Sequence, residues 1–304
     1  MPAMPTRLLA AIVIALLGPL ARCAAQEAPP FPSVPVREER TQDNSPKSEN
    51  EPEEEAPRSP FEDKIETDRD AFTPALRTSP LNRWIMESSY SFIDNRGAPD
   101  TNSFPELLFR YGINKHMELR LGWNYEAGGG GNVVSGSSGE TSEGVDTSRL
   151  SRVQKLLYGI KVQVSEQNSW RPDSIAIVQG YTPTGGDATN TEVLATYAFG
   201  WRLPNRWRWD SSIRFVTDSD NGNHFEVWAP STVLRMPIGE RFQVHSEFFG
   251  LFSEDRASNF SRVFFSPGMH YLITPNWEVG LRLGWGLTGQ SAPFFANAGF
   301  GWRF

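Results

Sequence analysis

"MELRLGWNY" (Met117–Tyr125) is the stretch on which the fold turns. Leu119, Leu121, Trp123 and Tyr125 fall on one phase, and Glu118, Arg120, Gly122 and Asn124 on the other. That period of two belongs to a β-strand with two unlike faces. Just upstream, "ELLFRYGI" (106–113) sets Leu107, Phe109, Tyr111 and Ile113 against Glu106, Leu108, Arg110 and Gly112, and the residues "NKH" between the two runs make them a hairpin. The alternation recurs at 83–92, 152–164, 174–181, 192–201, 207–216, 226–236, 241–252, 262–273, 277–287 and 294–304, which brings the strands to twelve, an even number.

The links between these runs alternate as well. Those at 114–116, 203–206, 237–241 and 274–276 are short, with 166–172 the longer exception; those at 94–102, 126–148, 183–190, 218–224 and 253–260 are longer. Short turns at one end and longer loops at the other, with both termini on the short-turn side, are the pattern of an outer-membrane barrel.

Alternation alone fits a soluble barrel equally well. Tryptophan and glycine separate the two readings. Nine of the ten tryptophans lie on the apolar phase, most near strand ends, where amphipathic rings meet lipid headgroups. Trp84, Trp123, Trp201, Trp207, Trp228, Trp277 and Trp302 form the expected aromatic girdle. Glycines such as Gly112, Gly122, Gly159, Gly200, Gly280 and Gly301 fall on the charged phase, where a confined interior needs a thin wall. The reading is an all-β fold: a transmembrane antiparallel up-and-down β-barrel of about 12 strands, its closing strand ending on the lipid-facing Phe300, Trp302 and Phe304. A terminal aromatic of this kind resembles the signal read by the outer-membrane assembly machinery.

Composition agrees without deciding. The chain has 304 residues, a mean hydropathy of −0.43 and 38% hydrophobic residues. A barrel wall that alternates lipid-facing and lumen-facing residues averages to such values. The net charge of −7 leaves no basic footprint for nucleic acid. The start of the chain, "MPAMPTR" followed by "LLAAIVIALLGPL" and Cys23-Ala24-Ala25, reads as a signal peptide over 1–25, too short and too interrupted by Pro19 to span a membrane as a helix. Arg22 makes Cys23, the lone cysteine, a poor lipidation site. Residues 26–64 are rich in proline, glutamate and serine and read as a disordered periplasmic leader. The barrel is expected over 65–304.

Several blocks resemble one family: "IETDRDAFTPALRT" (65–78), "FPELLFRYGINKHMELRLGWNY" (104–125), "GYTPTGG" (180–186), "HSEFFG" (245–250), "YLITPNWEVGLRLGWGL" (271–287) and the ending. The family is that of outer-membrane meta-pathway phenol-degradation transporters of Gram-negative bacteria. The resemblance implies passive uptake of small solutes, aromatic or hydrophobic ones among them, and specifies a fold better than a substrate. Where relatives tend to read Thr-Asp-Arg-Pro-Asp-Phe-Thr, this chain has Thr67, Asp68, Arg69, Asp70, Ala71, Phe72 and Thr73.

The lumen phase carries Glu106, Arg110, Glu118, Arg120, Lys161, Glu192, Arg208, Arg214, Glu247 and Arg282, with Glu87, Lys155, Asp210, Arg235 and Arg303 beside them. A ring of one sign would select ions; a mixed set makes salt bridges that satisfy one another and narrow the passage. The glycine- and serine-rich loop 126–148 reads as a mobile cap rather than an inward gate, and 218–226 as a polar turn rather than a calcium loop. Two alternatives stand beside the channel. One is a barrel serving only as an anchor. The other is a lipid hydrolase using His245 or His270, against which Ser246 falls on the opposite pleat from His245. No catalytic residue, metal site or cofactor is assigned. The partners expected are outer-membrane lipid, the assembly machinery and an unidentified small solute.

Overall fold

The structure, a computed structural model, describes residues 61, 63–129, 132, 134–135, 151–186, 190–220, 223–254 and 259–304. The signal peptide, Cys23, nearly all of the leader and most of the 126–148 loop lie outside these residues, as do the side chains of 218–225.

Twelve strands make up the wall: β1 (Trp84–Asp94), β2 (Thr101–Asn114), β3 (Met117–Gly128), β4 (Ser151–Ser165), β5 (Asp173–Gly186), β6 (Glu192–Arg202), β7 (Arg208–Asp220), β8 (Asn223–Ile238), β9 (Phe242–Glu254), β10 (Asn259–Thr274), β11 (Trp277–Gly286) and β12 (Phe294–Arg303). Each pairs antiparallel with its neighbours in sequence, and β1 pairs with β12 to close the barrel. Closure leaves no edge strand with unpaired backbone groups, which is what lipid demands of a sheet. The seam runs from Ile85 opposite Arg303 to Asp94 opposite Phe294, and Trp84 and Phe304 exchange two backbone hydrogen bonds of 3.0 Å. The last residue of the chain is thus stitched to the first strand.

Side chains sort by pleat. Leu119, Leu121, Tyr158, Ile160, Val178, Val193, Ile213, Met269, Leu281 and Trp285 stand exposed on the outside, while Glu118, Arg120, Lys161 and Arg282 are buried within. The turns 115–116, 203–207, 239–241 and 275–276 share one end of the barrel with Trp84 and Phe304, here the short-turn end; Gly239, at φ 74, takes the left-handed conformation its tight turn requires. The opposite, loop end is less ragged than the sequence suggests. Residues 218–220 and 223–224, expected in a long link, continue β7 and β8, with Asp218 opposite Phe225 and Asp220 opposite Asn223. Strand pairing has consumed the loop.

Candidate functional site

The interior of the barrel holds more than the side chains of its wall. Residues 65–79 do not belong to the wall. They enter the lumen at the short-turn end and return to it: Ile65 N–H donates to Pro275 O at 2.8 Å, and Thr78 Oγ1 to Lys115 O at 3.2 Å, both in turns of that end. Between these anchors Thr67, Asp68, Arg69, Asp70, Phe72, Thr73 and Leu76 are all buried. Glycines let the segment lie against the wall. A Cβ on Gly112 would sit 2.1 Å from Pro80 O, and one on Gly301 would sit 2.3 Å from Thr67 Cγ2.

The wall charges close around this inserted segment rather than only on one another. Asp68 accepts from Arg120 at 2.5 Å and from Lys161 at 3.0 Å, and Arg110 stands 3.8 Å away. Arg110 in turn grips Glu118 and Glu87, both at 2.9 Å, and donates to Glu66 O and Arg77 O. Glu87 takes the backbone N–H groups of Asp68 and Arg69, and Glu118 takes that of Ser79. A buried ion pair holds only when its remaining donors and acceptors are met; here the inserted backbone supplies many of those partners.

Deeper in the lumen, Glu247 accepts from the N–H groups of Phe72 and Thr73 at 2.9 and 2.7 Å, and from Arg282 at 3.2 Å. Arg214 and Arg235 donate to the carbonyls of Phe72 and Thr73. The Phe72 ring stacks on Phe249 with centroids 4.5 Å apart and planes 8° from parallel, and the Arg214 guanidinium lies 4.1 Å over its centroid. Phe249 leads on to Phe264 and Phe295, which forms an aromatic cluster inside the barrel. Its sequence signal is the doubled phenylalanine. In Phe248-Phe249 the pleat sends the first ring out and the second in, and Phe264 and Phe295 are likewise the inward members of their pairs.

From the loop end, Asn132, Val134 and Ser135 also point inward. Asn132 donates to Glu106 at 2.6 Å, Ser135 donates to the same carboxylate at 3.1 Å, and the carbonyl of Val134 accepts from Arg282. These residues are buried, so this part of the 126–148 loop is not the mobile cap the sequence suggested. Arg282 touches both insertions, through Glu247 and through Val134.

The residues singled out from sequence fall as follows. Glu106, Arg110, Glu118, Arg120, Lys161, Glu192, Arg214, Glu247 and Arg282 are buried inside, with Glu192 paired to Lys155 at 2.5 Å. Arg208 is partly exposed at the short-turn end, 3.1 Å from Glu66. There it borders a cavity of about 670 Å³, which Asp70, Arg235, His270 and Glu278 also line. Trp84, Trp207, Trp228, Trp277 and Trp302 are exposed on the outer surface, and Trp123 and Trp201 are half-buried. Trp84, Trp201, Trp207, Trp277 and Trp302 lie toward the short-turn end, Trp123 and Trp228 toward the loop end. Phe304 is exposed and packs against Trp302 at 4.9 Å. Sequence reasoning missed Glu66, Asp68, Asp70 and Phe72, because a segment without periodicity gives no sign of what it will pack against.

The fold is that of outer-membrane barrels. An outer membrane channel from Pseudomonas putida F1 superposes with a TM-score of 0.51 at 12% identity, over 75% of this chain and 98% of that one. The NanC porin gives 0.49 at 7% identity, over 73% and 100%, and the KdgM porin 0.43 at 8%, over 72% and 99%. No curated protein matches the sequence. The family described as "Putative MetA-pathway of phenol degradation" matches residues 85–304, the whole wall but its first residue, and the chain belongs to that family.

Proposed function

We propose that the chain is a channel of the bacterial outer membrane through which small solutes, aromatic compounds among them, cross passively. In this reading its short-turn end faces the periplasm, residues 1–25 are removed on export, and the leader remains in the periplasm. Residues 65–79 act as a plug, and Asn132, Val134 and Ser135 narrow the passage from outside. The observation that carries the reading is Phe72. The lumen is wide enough to admit a peptide, and it holds the ring of that peptide between an aromatic face, Phe249, and a guanidinium, Arg214. Stacking and cation–π contact of this kind suit any flat aromatic solute. When the plug withdraws, the slot is left for such a solute.

An anchor barrel without transport is the second reading, favoured by the filled lumen. Planar-bilayer recordings of the full chain and of a variant lacking 65–79 separate the two. The channel reading expects small, infrequent conductance from the full chain and a steady open level from the deletion, together with faster uptake of aromatic compounds by cells carrying the deletion. Silence from both proteins gives the anchor reading.

A further inference from the structure

Beyond transport, one cluster in the lumen has the makings of a metal site. We infer that His245 on β9, His270 on β10 and Asp70 of the inserted segment bind a single divalent transition-metal cation of the zinc class, which ties the insertion to the wall.

Geometry carries the inference. The candidate ligand atoms of the three residues lie within 4.8 Å of one another, and all three residues are buried. His245 Nδ1 is 3.3 Å from His270 Nε2, and His270 Nε2 is 3.2 Å from Asp70 Oδ2. Ligand bonds of ~2.0–2.2 Å at tetrahedral angles separate ligand atoms by about 3.3–3.6 Å, so the histidine spacing matches the edge of a metal tetrahedron and the His270–Asp70 spacing of 3.2 Å falls just short of it. Hydrogen bonding accounts for the cluster less well. His245 Nδ1, Asp70 Oδ2 and Gln243 Nε2 all converge on His270 Nε2, which carries one proton or one lone pair and cannot serve all three. His245 Nε2 and Asp70 Oδ1 are also buried without a hydrogen-bond partner among the described residues. A cation in the middle would resolve the convergence.

The surroundings suit it. His270 Nδ1 lies 3.5 Å from Glu278 Oε1, the carboxylate placement that orients a ligating imidazole. Arg69 and Arg235 are close enough to oppose a cation: Arg69 stands 3.8 Å from Glu278, and Arg235 is paired with Asp210 while its Nε also lies 3.5 Å from Asp70 Oδ2, so a metal would compete with that guanidinium for the carboxylate. Counting Asp70, Glu278 and Asp210 against Arg69, Arg235 and Arg208, which stands 3.7 Å from Asp210, leaves the neighbourhood without excess positive charge while the imidazoles are neutral. Asp70 and His270 line the 670 Å³ cavity at the short-turn end, so an ion can enter there and a water can complete its coordination.

The test uses the full chain, stripped with chelator and folded in detergent, with Co²⁺ as the probe. One equivalent of Co²⁺ is expected to give the intense visible bands of a tetrahedral N/O site, and Zn²⁺ to bleach them. His245→Gln, His270→Gln and Asp70→Asn are expected to abolish the bands, whereas His116→Ala, in an exposed turn, leaves them intact. Glu278→Gln is expected to weaken the affinity by about 10–100-fold. Asp70 is not part of the wall, so its variant remains informative if a histidine variant fails to fold. Absence of a stoichiometric Co²⁺ spectrum, or a spectrum unchanged in Asp70→Asn, overturns the site. Neither outcome touches conductance, so the channel reading stands or falls separately.

Discussion

Asp68 shows how much one side chain decides. It is fully buried, and Arg110, Arg120 and Lys161 all face it, while Glu87 and Glu118 share the same guanidiniums. Removing its charge leaves three cations facing two carboxylates in a dry interior. Breaking a buried pair costs about 3–5 kcal/mol, and here the inserted segment can avoid that cost by leaving. Asp68→Asn is therefore expected to undock residues 65–79 while the wall stays folded. Limited proteolysis would cut the segment in the variant and spare it in the parent, and bilayer recordings would show longer openings. Equal protection of the two proteins would mean that the ion pairs do not hold the insertion.

At the level of the strand, the pleat fixes what a position tolerates. Val178 lies midway along β5, opposite Ile160 and Ala195, with 51% of its surface exposed on the outer face. An arginine at the bilayer midplane costs about 2–4 kcal/mol, so Val178→Arg is expected to lower unfolding stability in lipid vesicles by that amount and Val178→Leu to leave it unchanged. A Val178→Arg barrel as stable as the parent would place this face away from lipid. The same pleat is why the strands were legible in the sequence: a run such as Met117–Tyr125 states its two faces in every pair of residues. Strand ends were less legible, since 218–220 and 223–224 are polar and turn-like yet extend β7 and β8 by pairing. Residues 65–79 were the least legible. They have no period, and their partners are carboxylates and guanidiniums at far-off positions such as 110, 161 and 247. Phase marked those charged positions as inward, but it gave no sign of the segment that they bind.

For the molecule as a whole, wall and insertion are separable in energy. The ladder closes through β1 and β12 without any strand pairing from 65–79, which is held by side chains, by the Ile65–Pro275 backbone hydrogen bond and by two glycine contacts. If the whole segment is absent, water fills the space and solvates Arg110, Arg120 and Lys161, so their charges are no longer desolvated and the penalty that applies to Asp68→Asn with the insertion in place disappears. The cost of any single change inside the segment is then capped by the free energy of undocking it. Gly301→Val reaches the same state by a different route, since its side chain meets Thr67 where even a Cβ would lie at 2.3 Å, and no charge is altered. Asp68→Asn and Gly301→Val are thus expected to raise mean conductance toward the level of the 65–79 deletion and never beyond it. Gly301→Val placed in the deletion background should add nothing. Matching unfolding midpoints for the deletion and the parent wall, measured alongside the conductances, would locate the effect in the lumen; a point variant that conducts more than the deletion would show that the wall itself had been breached.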